Sequence, residues 1–269
     1  MTADSLGGKT AMVTGSSTGI GRAIAIRLAQ KGANVILHGR SDSEAIESVA
    51  KEISEIGATS TKLFADFSTI DSWDGFVAEA WDWQGDVDIW INNAGGDVLT
   101  GHWPDRELED KLKFLLQVDV TATLMLSKGA GERMKNPQPG TSISNEGSPG
   151  AKSIINIGWD QAWQGMAGES GELFATTKGA IMAMTKSLAQ SYAPEVRVNC
   201  VAPGWIQTQW GEGASDKWNQ RAKRESLMKR WGTPQDVANV AAFLCSDEAS
   251  FISGQVLPVN GGFDFEQRT

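Results

Sequence analysis

The feature that most constrains this chain is a glycine-rich turn, Thr14-Gly15-Ser16-Ser17-Thr18-Gly19-Ile20-Gly21, between an apolar run at 10–14 and an amphipathic stretch at 20–31. A strand that turns at once into a helix needs glycine where the backbone takes positive φ or is closely approached. The first N–H groups of such a helix have no partners within it and attract an anion, so the turn suits a pyrophosphate. Gly15, Ser17, Gly19, Ile20 and Gly21 are the expected contacts.

The same alternation continues along the chain. Runs rich in β-branched residues at 10–14, 34–38, 61–65, 87–91, 153–157, 197–201 and 255–259 predict seven strands. Amphipathic stretches at 20–31, 42–56, 70–83, 105–135, 172–191 and 234–246 predict helices, with Pro104 and Pro234 in first-turn positions. Strands alternating with helices imply an α/β fold, a doubly wound parallel sheet of Rossmann type with about seven strands flanked by helices. No break in composition divides the chain, so one domain is expected over residues 1–269. The Pro-, Gly-, Ser- and Asn-rich stretch 136–150 reads as an exposed loop. The stretch 203–229 follows a strand end and carries Trp205, Trp210 and Trp218. Ligands of open α/β sheets sit beyond the carboxyl ends of the strands, so this stretch is the expected substrate lid.

Charge and composition narrow the partners. A net charge of −9 argues against nucleic acid or an anionic membrane surface as a partner. No apolar run approaches the roughly 18–20 residues of a membrane span, and the N-terminus lacks a basic-then-apolar signal pattern, so a cytoplasmic location is expected. Cys200 and Cys245 lie in apolar runs without metal-ligand or disulfide spacing, and no metal site is expected. The chain holds 11 Trp against a single Tyr, Tyr192, whose place at a helix end suits packing.

The Gly-x3-Gly-x-Gly spacing resembles the short-chain dehydrogenase/reductase family, and other segments extend the resemblance over nearly the whole chain. Asn92-Asn93-Ala94-Gly95 is similar to the family's motif after strand four. Asn199-Cys200-Val201-Ala202-Pro203-Gly204 is similar to its Pro-Gly corner near the nicotinamide, and Ser253-Gly254-Gln255 with Asn260-Gly261-Gly262 to its C-terminal signature. The resemblance implies a nicotinamide cofactor contacted by Asn93, Ala94, Gly95, Pro203 and Gly204, a small-molecule carbonyl or alcohol substrate, and a homodimer or homotetramer. It also implies the strand order 3-2-1-4-5-6-7 and an interface formed by helices 105–135 and 172–191.

An NAD-preferring site usually carries an acid at the end of the second strand, bonded to the ribose 2′-hydroxyl. Here the segment is His38-Gly39-Arg40-Ser41, with glycine in the acid's place. Arg40, beside Ser41, can pair with a 2′-phosphate, which favours NADP(H) over NAD(H); the alternative is a solvated arginine. Asp66 matches the family's adenine-contacting aspartate, and as a bare sequence feature is equally a helix cap.

The reaction centre departs from the family. There a tyrosine hydroxyl exchanges the proton, a lysine lowers its pKa and holds the ribose, a serine bonds the substrate oxygen and an asparagine supports a proton-relay water. In Phe174-Ala175-Thr176-Thr177-Lys178 the lysine stands but phenylalanine replaces the tyrosine. Asp119 occupies the asparagine's place, and Gly158-Trp159-Asp160-Gln161 the serine's. Counting from the strand gives Trp159, and counting back from Phe174 gives Gln161. Loss of a positioned general acid costs about 10²–10⁴-fold in rate. Candidate substitutes are Lys178 itself, paired with Asp119, and a carboxyl among Asp160, Glu169 and Glu172, raised in pKa by Trp159 and Trp163. His102 is a further candidate donor. Solvated loop charges are the plainer reading of these acids.

Trp159, Trp163, Trp205 and Trp210 together would suit a sugar ring, a polyol or a flat aromatic substrate, or pack a lid. Three functions are compatible with these residues. The first is an NADP(H)-dependent oxidoreductase with a substitute acid; the others are a catalytically silent NADP(H)-binding sensor or partner subunit, and a non-redox lyase or isomerase.

Overall fold

The computed structural model describes residues 5–136, 152–208, 213 and 215–263. Seven parallel strands form one sheet: β1 Thr10–Val13, β2 Asn34–Gly39, β3 Ser60–Phe64, β4 Ile89–Asn92, β5 Lys152–Ile157, β6 Val196–Pro203 and β7 Val256–Val259. Their order is β3-β2-β1-β4-β5-β6-β7, so the chain reverses its direction of travel between β1 and β4. Ala11 pairs with Val35 on one side and Ile89 on the other.

Period-two alternation divides each strand between two cores. Val13, Leu37, Ile91, Ile155 and Val201 face α1 (Gly19–Gln30), α2 (Glu44–Glu55) and the helix Pro234–Cys245. Met12, Ile36, Trp90, Ile154 and Val198 face α3 (Trp73–Asp82) and the helices at 122–135 and 169–192. Both faces are covered, which is why the strands read as continuous apolar runs.

The stretch 105–135 was expected as one helix and is interrupted. α4 (Leu108–Leu115) passes through a π-helical turn, Leu116–Thr121, into α5 (Ala122–Lys135). The wide turn admits an extra residue and directs Asp119 inward. Pro104 lies before α4, in a turn whose carbonyl accepts from Lys111 Nζ (2.9 Å), instead of in the helix's first turn. A short helix, α6 (Gln161–Gln164), and two glycines at positive φ, Gly165 and Gly168, lead into α7 (Glu169–Tyr192). α7 thus starts three residues before the expected 172. Within the expected lid stretch a further helix forms, α8 (Asp216–Glu225). α9 (Pro234–Cys245) opens as expected on Pro234, and Thr233 and Asp236 close a reciprocal capping box. Cys200 and Cys245 are buried free thiols, and burial pushes both up to about 12. Tyr192 is buried and its hydroxyl donates to the Lys128 carbonyl. The loop 136–150 and Trp210 lie outside the described residues, apart from Asn136 at the end of α5.

A polar chain crosses the second core. Trp90 Nε1 donates to Asn92 Oδ1 (2.9 Å), and Asn92 Nδ2 to Ser127 Oγ and Asn156 Oδ1 (2.8 Å each). Asn156 Nδ2 donates to Thr185 Oγ1 (3.0 Å), which donates to the Ile181 carbonyl (2.8 Å). All six residues are buried. A satisfied chain of this kind fixes β4 and β5 against α5 and α7, and an interrupted one leaves polar groups stranded. Asn156→Ala is expected to lower unfolding stability by about 2–3 kcal/mol, the cost of a small cavity plus unsatisfied groups. A shift in urea midpoint below about 0.5 kcal/mol would show that the chain contributes little.

Candidate active site

The glycine turn is built into the gap between β1 and β4. Thr14 Oγ1 donates to the Ile91 carbonyl (3.2 Å) and accepts from the N–H groups of Asn93 (2.9 Å) and Ala94 (3.0 Å). Asn93 Nδ2 donates back to the carbonyls of Thr14 and Gly15, 3.0 Å each. Gly15 and Gly19 take positive φ, +62° and +57°. A Cβ on Gly21 would lie 2.2 Å from the Gly15 oxygen, so no other residue fits there. Thr18, at the N-cap of α1, makes no side-chain capping bond. The first turn of α1 therefore presents N–H groups beside Ser17 and Ile20, a cradle of the shape and polarity that a pyrophosphate requires.

His38 completes the cradle and was not singled out from the sequence, where it is only a polar residue in an apolar strand. Its Nδ1 accepts from the Gly15 N–H (3.0 Å), which assigns the proton to Nε2, 3.1 Å from the Ala65 carbonyl. The ring stacks on Phe67 at 4.5 Å, and burial pulls its pKa down to about 4 against the opposing effects of Ala65 and Asp66. Beyond β2, Arg40 and Ser41 are exposed. Asp66 Oδ1 accepts from the Ser68 N–H (2.9 Å) and hydroxyl (2.7 Å); those bonds, with Arg40 nearby, hold its carboxyl below the usual range. Asp66 thus shapes its own turn, while α3 is capped by Ser72.

A cleft of about 530 Å³ opens at the carboxyl ends of β4, β5 and β6, beside Ile20 and Asn93. Lys178, Phe174 and Ser170, successive turns of α7, form one side, with Trp159 and Met166. Pro203, Gly204, Trp205, Ile206 and Thr208 form the other, with Trp218 from α8 and Trp231. Thr208 lies within the expected lid; Ser170, outside the quoted motifs, and Trp231, beyond the end of the expected lid, were not anticipated.

At the floor, Lys178 Nζ lies 3.1 Å from Asp119 Oδ2, their side chains 15% and 0% exposed. Asp119 Oδ1 accepts from the Gly96 N–H (2.6 Å). A Cβ on Gly95 would come within 3.2 Å of Asp119 Oδ1 and 3.4 Å of Lys178 Nζ. Phe174 meets Trp159 edge to face at 6.4 Å.

The structure turns the other expected acids away from this cleft. Asp160 and Gln161 are buried beneath it and do not line it. Asp160 Oδ2 accepts from Asn260 Nδ2 (3.0 Å) beside Gly204, and its Oδ1 has no hydrogen-bond partner among the described residues. Burial raises its pKa to about 6, with the Asn260 bond opposing. Trp163 does not cause that shift, being exposed and absent from the lining. Glu169 binds Lys111 Nζ at 2.7 Å, and Glu172 faces solvent. His102 is exposed against Trp103.

A family model described as enoyl-(acyl carrier protein) reductase matches residues 15–264. A 3-oxoacyl-[acyl-carrier-protein] reductase of Aquifex aeolicus is 36% identical over 262 residues, covering 96% of this chain and 98% of its own. Glucose 1-dehydrogenase 2 of Bacillus subtilis is 33% identical over 260 residues, covering 96% and 95%. A short chain dehydrogenase from Burkholderia cenocepacia, solved in complex with NADP, superposes with a TM-score of 0.81 at 29% identity, over 96% of this chain and 98% of that one.

The buried Asp160 gives a pH-dependent prediction. Its folded pKa of about 6 exceeds the ordinary 3.8, so the folded state binds the extra proton between these values. Stability from this group is present below pH 3.8 and lost as pH rises through 6. Asp160→Asn, which mimics the neutral acid, is expected to stabilise the protein by about 1–3 kcal/mol at pH 7, a gain that vanishes near pH 4. Urea denaturation of both proteins across that range is the check, and a pH-independent difference would contradict it.

Proposed function

The chain belongs to the short-chain dehydrogenase/reductase family of oxidoreductases, and on that premise we propose that it interconverts a carbonyl and an alcohol with NADP(H), Lys178 taking the part of the absent tyrosine. The observation that carries this reading is the ion pair of Lys178 with the fully buried Asp119 at the cleft floor. Lys178 is the one ionisable side chain among the described residues that line the cleft.

The cradle of Gly15, Ser17, Gly19, Ile20 and Gly21 would hold the dinucleotide's pyrophosphate, with Asn93, Ala94, Gly95, Pro203 and Gly204 towards its nicotinamide end. Arg40 and Ser41 would receive the 2′-phosphate and Asp66 the adenine. The exposed Arg40 and the absence of a carboxylate at Gly39 support NADP(H) over NAD(H). When bound, the cofactor supplies or accepts the hydride.

In the reducing direction negative charge develops on the substrate oxygen. The Lys178 ammonium stabilises that charge and transfers one proton to the oxygen, and the neutral amine regains a proton from solvent through the cleft. Asp119 orients Nζ and balances its charge. Phe174 contributes shape only. The segment 203–229, with α8, acts as the substrate lid of the single domain. A homodimer or homotetramer belongs to the same reading, supported by Leu116, Leu124 and Met125, which are exposed along the α4–α5 surface.

Calorimetric titration with NADPH and NADH tests the cofactor. Micromolar binding of NADPH with at least tenfold weaker NADH is expected, and Arg40→Ser should erase the difference. Binding of neither would overturn the oxidoreductase reading. Once a substrate is found, Lys178→Met is expected to lower kcat by roughly 10²-fold or more, the scale of a lost charge-stabilising donor. Phe174→Tyr is expected to change kcat less than about tenfold, because a donor is already in place. A gain approaching the roughly 10²–10⁴-fold worth of a general acid would mean that the cleft has no acid of its own.

A further inference from the structure

Resting on the oxidoreductase reading, we infer that the substrate is an uncharged compound with a flat aryl or fused-ring body, its carbonyl or hydroxyl oxygen directed at Lys178. The inference comes from how the cleft distributes rings, charge and hydrogen-bonding groups.

Aromatic rings face the cleft from both sides. Trp205 meets Trp218 at 5.5 Å and Trp231 at 5.8 Å, and these three indoles all line the cleft. Across from them stand Phe174 and Trp159. The polar edge of Trp205 is engaged from behind, its Nε1 donating to Glu225 Oε2 at 2.9 Å. Glu225 Oε1 accepts from Arg221 Nε at 2.7 Å, and the guanidinium lies 5.5 Å from the Trp205 ring centre and 5.3 Å from that of Trp218. The pair of opposite charges balances behind the wall, and the cleft receives ring surface. Aromatic surface favours stacked or edge-on rings beyond simple burial.

Groups suited to a polyol are few. Asn93 is held by Thr14 and Gly15, and the acids near the cleft are turned to Asn260, Lys111 and Arg221. Ser170 and Thr208 are the remaining hydroxyls among the described residues of the lining. A sugar would bury several hydroxyls without partners, each at the cost of its lost hydration. A fused ring loses no hydrogen bonds on entering.

The test compares three probes at fixed protein concentration and saturating cofactor: reduction of 2-acetylnaphthalene and of the acetoacetyl thioester of N-acetylcysteamine with NADPH, and oxidation of D-glucose with NADP+. The naphthyl ketone is expected to give the highest kcat/KM, by at least tenfold over either other probe. Trp218→Ala should raise KM for the ketone about tenfold, the loss of one ring contact, and Trp218→Phe should restore most of it. Preference for the thioester or glucose would overturn the inference, as would a KM unmoved in a folded Trp218→Ala protein. If no probe turns over, calorimetry of 2-acetylnaphthalene with the NADP-saturated protein decides: binding weakened by Trp218→Ala upholds the ring site, and no binding overturns it. Failure of NADPH and NADH to bind is read separately, and counts against the oxidoreductase reading itself.

Discussion

The join between β1 and β4 is the constraint on which the rest of the site depends. A parallel sheet wound in both directions leaves two adjacent strands whose connections depart to opposite sides, and at their carboxyl ends nothing fills the gap. Here Thr14 and Asn93 close it with five hydrogen bonds, three through the threonine hydroxyl and two through the asparagine amide. The glycine turn can then pass within van der Waals distance of Ala94, and His38 ties its N–H to the end of β3. A hydroxyl, an amide and an imidazole fix the start of α1, and with it the edge of the cleft that Ile20 and Asn93 form.

The second departure from regular geometry serves the first. Asp119 sits in a π-helical turn, where the widened helix leads the carboxylate into a fully buried position. A buried carboxylate is tolerated only when paired and hydrogen-bonded. Lys178 supplies the opposite charge and Gly96 the N–H, while Gly95, lacking a side chain, leaves room for both. The arrangement holds an ammonium in place without help from a tyrosine hydroxyl. Phe174 keeps an aromatic ring in edge contact with Trp159, so its side of the cleft retains its shape, and under the proposed mechanism the proton transfer falls to Lys178.

The fold was legible because period and punctuation both act locally. The alternation of apolar runs with amphipathic stretches forecast the doubly wound sheet, and the glycine spacing forecast the turn. The pairing of Asp119 with Lys178 was legible too, since both lie in segments of expected position. What could not be read was direction. Asp160 and Trp159 are neighbours in sequence, yet one points to Asn260 and the other into the cleft, and a turn decides that. Glu169 was read as a loop acid because its partner, Lys111, lies 58 residues away. The roles of His38 and Trp231 depend on contacts at similarly long range, and composition carries no trace of these.

The direction taken by the acids has a consequence for selectivity. In a chain with nine more negative than positive charges, an aromatic cleft ringed by free carboxylates would repel developing alkoxide and attract cations. Instead Asp160 is turned inward and raised in pKa, Glu169 is held by Lys111, and Glu225 lies behind Trp205 with Arg221. Among the described residues, the lining is left with one ionisable group, an ammonium whose counter-charge is buried beneath it. Electrostatic stabilisation is strongest where donors are fixed and water is scarce. Under the proposed mechanism, a cleft so arranged would discriminate weakly among neutral ground states by charge, and strongly in favour of an oxygen that becomes negative at its floor. Ring contacts along the walls would then select the substrate's body, leaving the reacting oxygen to Lys178.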